Sequence, residues 1–299
     1  MTDIIVIGAG PAGLTAAIYA ARAGKSVRVI EKSNFGGQIN YSPKIENFPG
    51  FLQISGTELA DYLVEQALTQ GADLDIEEAE EILKTDYGFK VVTDSGEHEC
   101  KAVIIATGAK HRHLGVEGED KYIGEGISFC AVCDGAFYAD KKVAVIGGGN
   151  SALQEALLLS ETSKEVVILQ NLDNFTGEQK LIDLVNKKEN IKCIFGVTVK
   201  NFFGGDDIEG ATLINAKTGE ETKIYADGFF EAIGLMPDNG AFENVAQLQY
   251  GYVKSDEKCL TQTPGIFTAG DCRTKNVRQI ATAVADGAVA ALNACDFIS

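Results

Sequence analysis

A strand, a glycine turn and a second strand occur twice in this chain, 139 residues apart, and that repeat constrains the fold more than any other feature. IIVIGAGPAG at Ile4–Gly13 answers to VAVIGGGNSA at Val143–Ala152, and VRVIE at Val27–Glu31 answers to VVILQ at Val166–Gln170. Further on, VVTDSGEHECKAVIIATGA has a looser echo in LINAKTGEETKIYADGFFEAIGL. Each copy reads as strand, glycine turn, amphipathic helix, strand, β-meander and closing strand. Alternating β and α elements call for parallel sheets, so the pattern predicts an α/β protein of two Rossmann-like doubly wound domains (three-layer ββα-type). The second copy sits inside the first domain. After AIGLMP the chain runs into GIFTAGDC and a long small-residue helix, RQIATAVADGAVAALNAC, which supply the strand and helix the first copy lacks. The expected domains are therefore 1–112 with 241–299, and 113–240, joined by short crossings that would serve as hinges.

The length of 299 residues suits two such domains, each able to bury its own core. A net charge of −17 argues against nucleic acid or an anionic membrane as partner, because either would favour a basic face. MTDIIVIGAG has no basic n-region and breaks at glycine after four apolar residues, so it reads as a buried strand and not as a signal peptide. No apolar run reads as a membrane span. Seven cysteines, five of them scattered singly, do not look like a secreted disulfide framework, and a cytoplasmic location is expected.

In the first copy, Gly8, Gly10 and Gly13 follow a hydrophobic strand and open a helix at Pro11 and Ala12. Gly8 allows the tight turn, Gly10 lets the backbone approach a pyrophosphate, and Gly13 permits close helix–strand packing. The pyrophosphate would sit among unpaired N–H groups at the positive end of the helix dipole. Glu31 closes the second strand, where a carboxylate would accept hydrogen bonds from ribose hydroxyls. The rival reading is a glycine turn kept only for packing.

CAVCDG, Cys130 to Gly135, lies just before the second Rossmann strand. A C-x-x-C pair closes a small disulfide, and the motif lowers a thiol's pKa toward physiological pH. Zinc would need two more ligands, and no second CxxC or CxxH exists, so no metal is expected. A purely structural disulfide is the other alternative, disfavoured in reducing cytosol.

These motifs, together with GGQ (Gly36–Gln38), IENFPG (Ile45–Gly50), ATGA (Ala106–Ala109), AGDC (Ala269–Cys272) and RQIATA (Arg278–Ala283), resemble in order and spacing the thioredoxin reductase family of low molecular weight. The resemblance covers nearly the whole chain. It implies an FAD site built from the glycine turn, Glu31, Gly37, Gln38, Asn47, Thr107, Gly108, Gly270, Asp271, Arg278, Gln279 and Ala281. Asn47 would lie near the flavin ring, Asp271 on the ribityl and pyrophosphate region, and Arg278 and Gln279 beside the isoalloxazine. It also implies that Cys133 is nearest the flavin, Cys130 is its partner, and Asp134 is the general acid. A homodimer and a thioredoxin partner follow from the same resemblance.

The second copy keeps Gly147, Gly149 and Ala152, but not the charges that choose a nicotinamide cofactor. Family members using NADPH carry HRR and a further Arg where this chain has Gln170, Asn171, Leu172 and Thr176. Losing two charge-assisted hydrogen bonds removes roughly 3–6 kcal/mol of 2′-phosphate binding. NADH would prefer a carboxylate where Gln170 stands, and Asp173 comes three residues late unless the loop bends back. The expected function is thus an FAD-dependent disulfide reductase that passes electrons from reduced ferredoxin through FAD and the dithiol to thioredoxin, with the second nucleotide site vestigial. In this the chain resembles the ferredoxin-dependent members of the family. The alternatives are an NAD(P)H-dependent thioredoxin reductase with a divergent loop, a dithiol oxidase passing electrons from thiols to oxygen, and a non-catalytic flavin scaffold. Arg273, Lys275 and Arg278, with Lys110 and Arg112, are the candidate basic group for docking ferredoxin.

Overall fold

The computed structural model describes residues 1–42 and 44–299. In chain order the elements begin with β1 (Thr2–Ile7), α1 (Pro11–Arg22), β2 (Val27–Glu31), α2 (Gly56–Thr69), β3 (Asp73–Ile76), β4 (Ala79–Thr85), β5 (Gly88–Thr93) and β6 (Gly96–Ile105). There follow β7 (Ala109–His111), α3 (Glu119–Tyr122), β8 (Ile127–Ser128), α4 (Ala131–Asp134), β9 (Lys142–Ile146), α5 (Asn150–Ser160), β10 (Glu165–Gln170), α6 (Gln179–Val185) and β11 (Ile191–Phe195). The meander strands are β12 (Val197–Gly204), β13 (Ile208–Asn215) and β14 (Glu221–Tyr225), and β15 (Gly228–Glu231) follows them. The chain closes with β16 (Leu235–Pro237), β17 (Leu248–Gln249), β18 (Tyr252–Val253), β19 (Ile266–Thr268) and α7 (Ile280–Phe297).

Two compact units divide the chain: Met1–Lys110 with Met236–Ser299, and His111–Leu235. The second crossing falls a few residues earlier than the sequence suggested. Asp238 pairs with Lys32, Asn239 accepts from Thr107 Oγ1 at 2.6 Å, and Phe242 is buried in the first unit's core, so residues 236–240 belong there.

The first unit holds the sheet β3-β2-β1-β6-β5-β4, with β19 also on β6. Strand β6 serves twice. Its first half pairs antiparallel with β5, and its second half runs parallel between β1 and β19. The meander and closing strand expected as separate pieces are here one ten-residue strand. Burial on both faces explains why Ile4–Ile7 and Ala102–Ile105 are continuously apolar and not alternating. Helix α7 packs on α1 through small residues: a Cβ at Gly287 would lie 2.2 Å from the Ala12 carbonyl oxygen. By length and composition α7 is apolar enough to cross a membrane, which the sequence reading overlooked. In the fold its Ala290, Ala291 and Ala294 are fully buried in the first unit's core.

In the second unit the parallel sheet is β11-β10-β9-β15-β8, and the meander forms its own three-stranded sheet, β12-β13-β14. The apolar layer between these two sheets holds Phe202, Phe229, Leu213 and Ile146. Helix α5 covers the other face through Ala152, Leu153, Ala156 and Leu159.

Candidate functional sites

In the first unit the three turn glycines meet different physical demands. Gly8 has φ 106°, and a Cβ there would lie 2.3 Å from the Ala106 carbonyl oxygen; at Gly13 it would lie 1.8 Å from the Gly8 oxygen. Those two are fixed by packing. At Gly10 a Cβ would find only the Gly36 oxygen, at 3.9 Å. The protein itself does not require a glycine there, so the missing side chain marks room for a ligand. Gly10 is the N-cap of the twelve-residue α1, and no side chain caps the helix. Its first-turn N–H groups are therefore open to an anion. Gly37 lies directly beside Gly10, and Gln38 after it is exposed.

Glu31 is nearly buried at the end of β2. Its Oε2 accepts from the Ala9 amide at 2.8 Å, and Oε1 accepts from the Ser33 amide at 3.0 Å. The carboxylate thus braces the glycine turn and keeps lone pairs for a ribose. Asp271 Oδ1 is buried and has no hydrogen-bond partner among the described residues. Burial pushes its carboxyl up to about 6, against the pull of Lys275 and Arg278. A sealed oxygen without a donor is expensive unless a ligand hydroxyl supplies one. With the gap at Gly10, this orphan fits the group the resemblance implies, an FAD.

Of the other expected contacts, Asn47 Nδ2 donates to Gln279 Oε1 at 3.2 Å, which brings the two flavin-ring candidates together. Gln279 also forms a capping box with Thr282 at the start of α7, a role the sequence reading missed. Ala281 is exposed in the first turn of that helix. The Arg278 guanidinium lies 4.3 Å from the Tyr252 ring centroid. Thr107 is tied to Asn239, whose Nδ2 donates to the Gly251 and Cys272 carbonyls. Gly108 has φ 70° and no neighbour within 4 Å of an added Cβ.

Two of the docking candidates must be corrected. Arg273 is 3% exposed and makes a two-point contact with the Asp286 carboxylate, at 2.8 and 2.9 Å. Lys275 reaches the same carboxylate at 2.7 Å with its side chain only 7% exposed. Asp286 also accepts from the Gly270 amide. Both cations are spent holding the Gly270–Asp271 turn, and they offer no surface charge. Lys110 and Arg112 are exposed.

In the second unit Cys130 and Cys133 are joined as a disulfide, with Cα atoms 5.3 Å apart. The Cys133 amide donates to Cys130 Sγ at 3.2 Å. Asp134 is mostly buried, which pushes its carboxyl up, while a hydrogen bond from Ser128 pulls it down. His111 stacks on Phe129 at 4.9 Å, and His113 meets the same ring, tilted, at 5.1 Å. Burial drives the His111 imidazole down to about 4, so it is neutral. Both histidines lie against the residue before Cys130. The other five cysteines are free, and four of them are buried. No group of three or more His, Cys, Asp or Glu among the described residues is arranged to hold a metal.

The second glycine turn is built like the first, with Gly147 at φ 134° and Gly149 as the N-cap of α5. The loop after β10 differs. Gln170 is 4% exposed; its Nε2 donates to the Asn174 carbonyl and its Oε1 accepts from the Asn171 amide. Thr176 Oγ1 donates to the Gly148 carbonyl, and Leu172 is exposed. Asp173 pairs with Lys217 at 2.7 Å.

A glycine-turn cofactor unit with a nested second unit carrying a redox disulfide is the architecture of a flavin disulfide oxidoreductase. The chain belongs to the pyridine nucleotide-disulphide oxidoreductase family, whose model matches residues 2–287. Its relatives then narrow the type. A thioredoxin reductase of Listeria monocytogenes is 40% identical over 99% of this chain and 93% of its own length. A 34.2 kDa protein in the rubredoxin operon of Clostridium pasteurianum is 41% identical over 99% and 97%. The crystal structure of thioredoxin reductase from Streptococcus pyogenes superposes with a TM-score of 0.96 at 39% identity, over 99% and 98% of the two chains. The chain is a thioredoxin reductase-type flavin disulfide oxidoreductase, and FAD is the cofactor of this type.

Proposed function

We propose that this enzyme takes electrons from reduced ferredoxin, and not from NADPH, and passes them through FAD and the Cys130–Cys133 dithiol to the disulfide of a thioredoxin. One observation carries the choice of donor: the loop after β10 presents neither the cations a 2′-phosphate needs nor a free carboxylate for a ribose. Gln170 is turned inward to hold its own loop, Asn171 and Leu172 are uncharged, and Thr176 is bound to the glycine turn. Asp173, the acid nearest that position, is held by Lys217. The energetics allow the transfer. From about −400 mV for a plant-type ferredoxin to about −270 mV for thioredoxin, two electrons release about 6 kcal/mol. FAD supplies the exchange between single electrons and a pair.

In this reading Gly10, Pro11, Ala12, Glu31, Gly37, Gln38, Thr107, Gly108, Gly270 and Asp271 hold the FAD. Ala281 also contributes to that site, and Asn47, Arg278 and Gln279 lie toward its ring. Cys133 is the thiol that exchanges electrons with the flavin, Cys130 is its partner, and Asp134 gives a proton to the dithiol. The enzyme works as a homodimer in the reducing cytoplasm, where its scattered thiols stay free. A second reading, NADPH as donor through a divergent loop, has one observation in its favour: Lys217 stands beside Asp173 at the loop and is 70% exposed. Replacing Asn171, Leu172 and Thr176 together by Arg separates the two. On the ferredoxin reading the triple variant gains NADPH-driven thioredoxin reduction that the parent lacks. An equal NADPH rate in both proteins, abolished by Lys217→Ala, would establish the second reading instead.

A further inference from the structure

Ser128 is the last residue of β8, where it pairs with Phe230 of β15, and it is 5% exposed. Its Oγ accepts from the Cys130 amide at 3.1 Å and donates to Asp134 Oδ2 at 2.6 Å. One hydroxyl therefore joins the first residue of the CxxC segment to the acid that follows it. A serine hydroxyl has one hydrogen and two lone pairs. The Cys130 N–H takes one lone pair permanently. When Asp134 is ionised, the hydroxyl hydrogen points at the carboxylate; when Asp134 is protonated, the acid's O–H points at the second lone pair. The oxygen positions stay fixed in both states, and only the hydroxyl rotor turns.

We propose that Ser128 is a positioning residue for the dithiol reaction: it holds the Asp134 carboxyl in register with Cys130 in both of its protonation states, so that the acid delivers its proton to the cysteines and is recharged without leaving its place. This rests on the reading of Asp134 as the proton donor. Reduction of the Cys130–Cys133 disulfide breaks one S–S bond and takes up two electrons and two protons to leave two thiols. Both electrons and one proton come from the reduced flavin of the established activity. The other proton passes from the Asp134 carboxyl to a cysteine thiolate, and Asp134 regains it from solvent.

Two opposing effects set when Asp134 gives up that proton. Burial favours the neutral acid, and the short bond from Ser128 favours the carboxylate. Several other groups face this region. The Tyr138 phenol is held up at about 12 by burial and then by Asp134, Glu125 and Asp227, so it stays neutral. Glu155 on α5, the helix that packs on α4, has its Oε2 sealed without a partner among the described residues and is pushed up to about 7 by burial. His111 and His113 lie against Phe129.

The test is the pH dependence of electron transfer from the flavin to the Cys130–Cys133 disulfide in FAD-loaded enzyme given one equivalent of dithionite, read by stopped flow as the return of flavin absorbance. The wild-type rate falls along an alkaline limb as Asp134 loses its proton. Asp134→Asn lowers the rate about 100-fold and removes that limb. Glu155→Gln leaves the limb where it is. Ser128→Ala moves it upward by roughly half a pH unit or more, because nothing now favours the carboxylate. It also slows the reaction below the limb about tenfold, since the acid is no longer held. Ser128→Thr restores both. If Ser128→Ala does not retain FAD, Ser128→Cys carries the same test and must move the limb the same way by less. An unmoved limb in the serine variants, with Asp134→Asn still abolishing it, overturns the role of Ser128 alone. A limb that survives Asp134→Asn overturns the role of Asp134 and this proposal with it.

Discussion

Glu231 ends β15 in the middle of the second unit's sheet and is 2% exposed. Neither of its carboxyl oxygens makes a well-formed hydrogen bond among the described residues, although the Glu119 carboxyl and the Leu114 amide lie close enough to act on it. Its neighbour, Glu119, already accepts from the Leu114, Gly115 and Val116 amides. Burial first, and the Glu119 charge second, push Glu231 from the ordinary 4.5 up to about 9. The folded chain therefore keeps a proton that the unfolded chain releases. Stability is largest at acid pH and falls as pH rises between those two values, by about 1.4 kcal/mol per pH unit from this group. By pH 7 the loss is about 3 kcal/mol. Glu231→Gln keeps the size, removes the ionisation and gives Glu119 an amide donor. The variant should lie within about 1 kcal/mol of the parent at pH 5 and be more stable by about 3 kcal/mol at pH 7. Urea titrations at pH 5, 6, 7 and 8, followed by far-ultraviolet circular dichroism, read this directly, because the chain has no tryptophan to report by fluorescence. Parallel stability curves for the two proteins would refute the reasoning.

The turn glycines should separate by their surroundings. Gly10→Ala should fold and lose FAD, visible as a colourless protein with a normal circular dichroism spectrum, whereas Gly13→Ala should fail to fold because its Cβ would lie 1.8 Å from the Gly8 oxygen. Cys130→Ser and Cys133→Ser should each abolish thioredoxin reduction and leave one FAD bound per chain, read by activity and by absorbance. Asp286→Ala strands Arg273 and Lys275 in the interior; it should cost about 3–5 kcal/mol by urea unfolding and weaken FAD through the Gly270–Asp271 turn.

The sequence was most legible where geometry leaves few choices. Two glycine turns after apolar strands require βαβ units, and the lone late strand and helix require the nesting. The CxxC and its neighbouring acid were visible because such chemistry is local in the chain. What stayed hidden depends on contacts between distant residues. The sharing of β6 between meander and parallel sheet leaves no local trace. Arg273 and Lys275 read as surface charge because their counterion, Asp286, lies on the buried face of a helix that reads as apolar. Asn239 and Ser128 carry no motif of their own, and only the fold brings them to Thr107 and Asp134. Glu231 could have been suspected, since a charged residue in GFFEAIG interrupts an otherwise apolar strand.

The electron donor is the central claim, and anaerobic titration of the bound flavin tests it most directly. Reduced ferredoxin, NADPH and NADH are added in parallel to the same FAD-loaded enzyme, and bleaching of the flavin absorbance is followed in time. The inward-turned Gln170 and the uncharged Asn171, Leu172 and Thr176 predict rapid, complete bleaching by ferredoxin and only slow, unsaturable bleaching by either nicotinamide at millimolar concentration. Rapid bleaching by NADPH that saturates would contradict the account, with the FAD and dithiol assignments left standing.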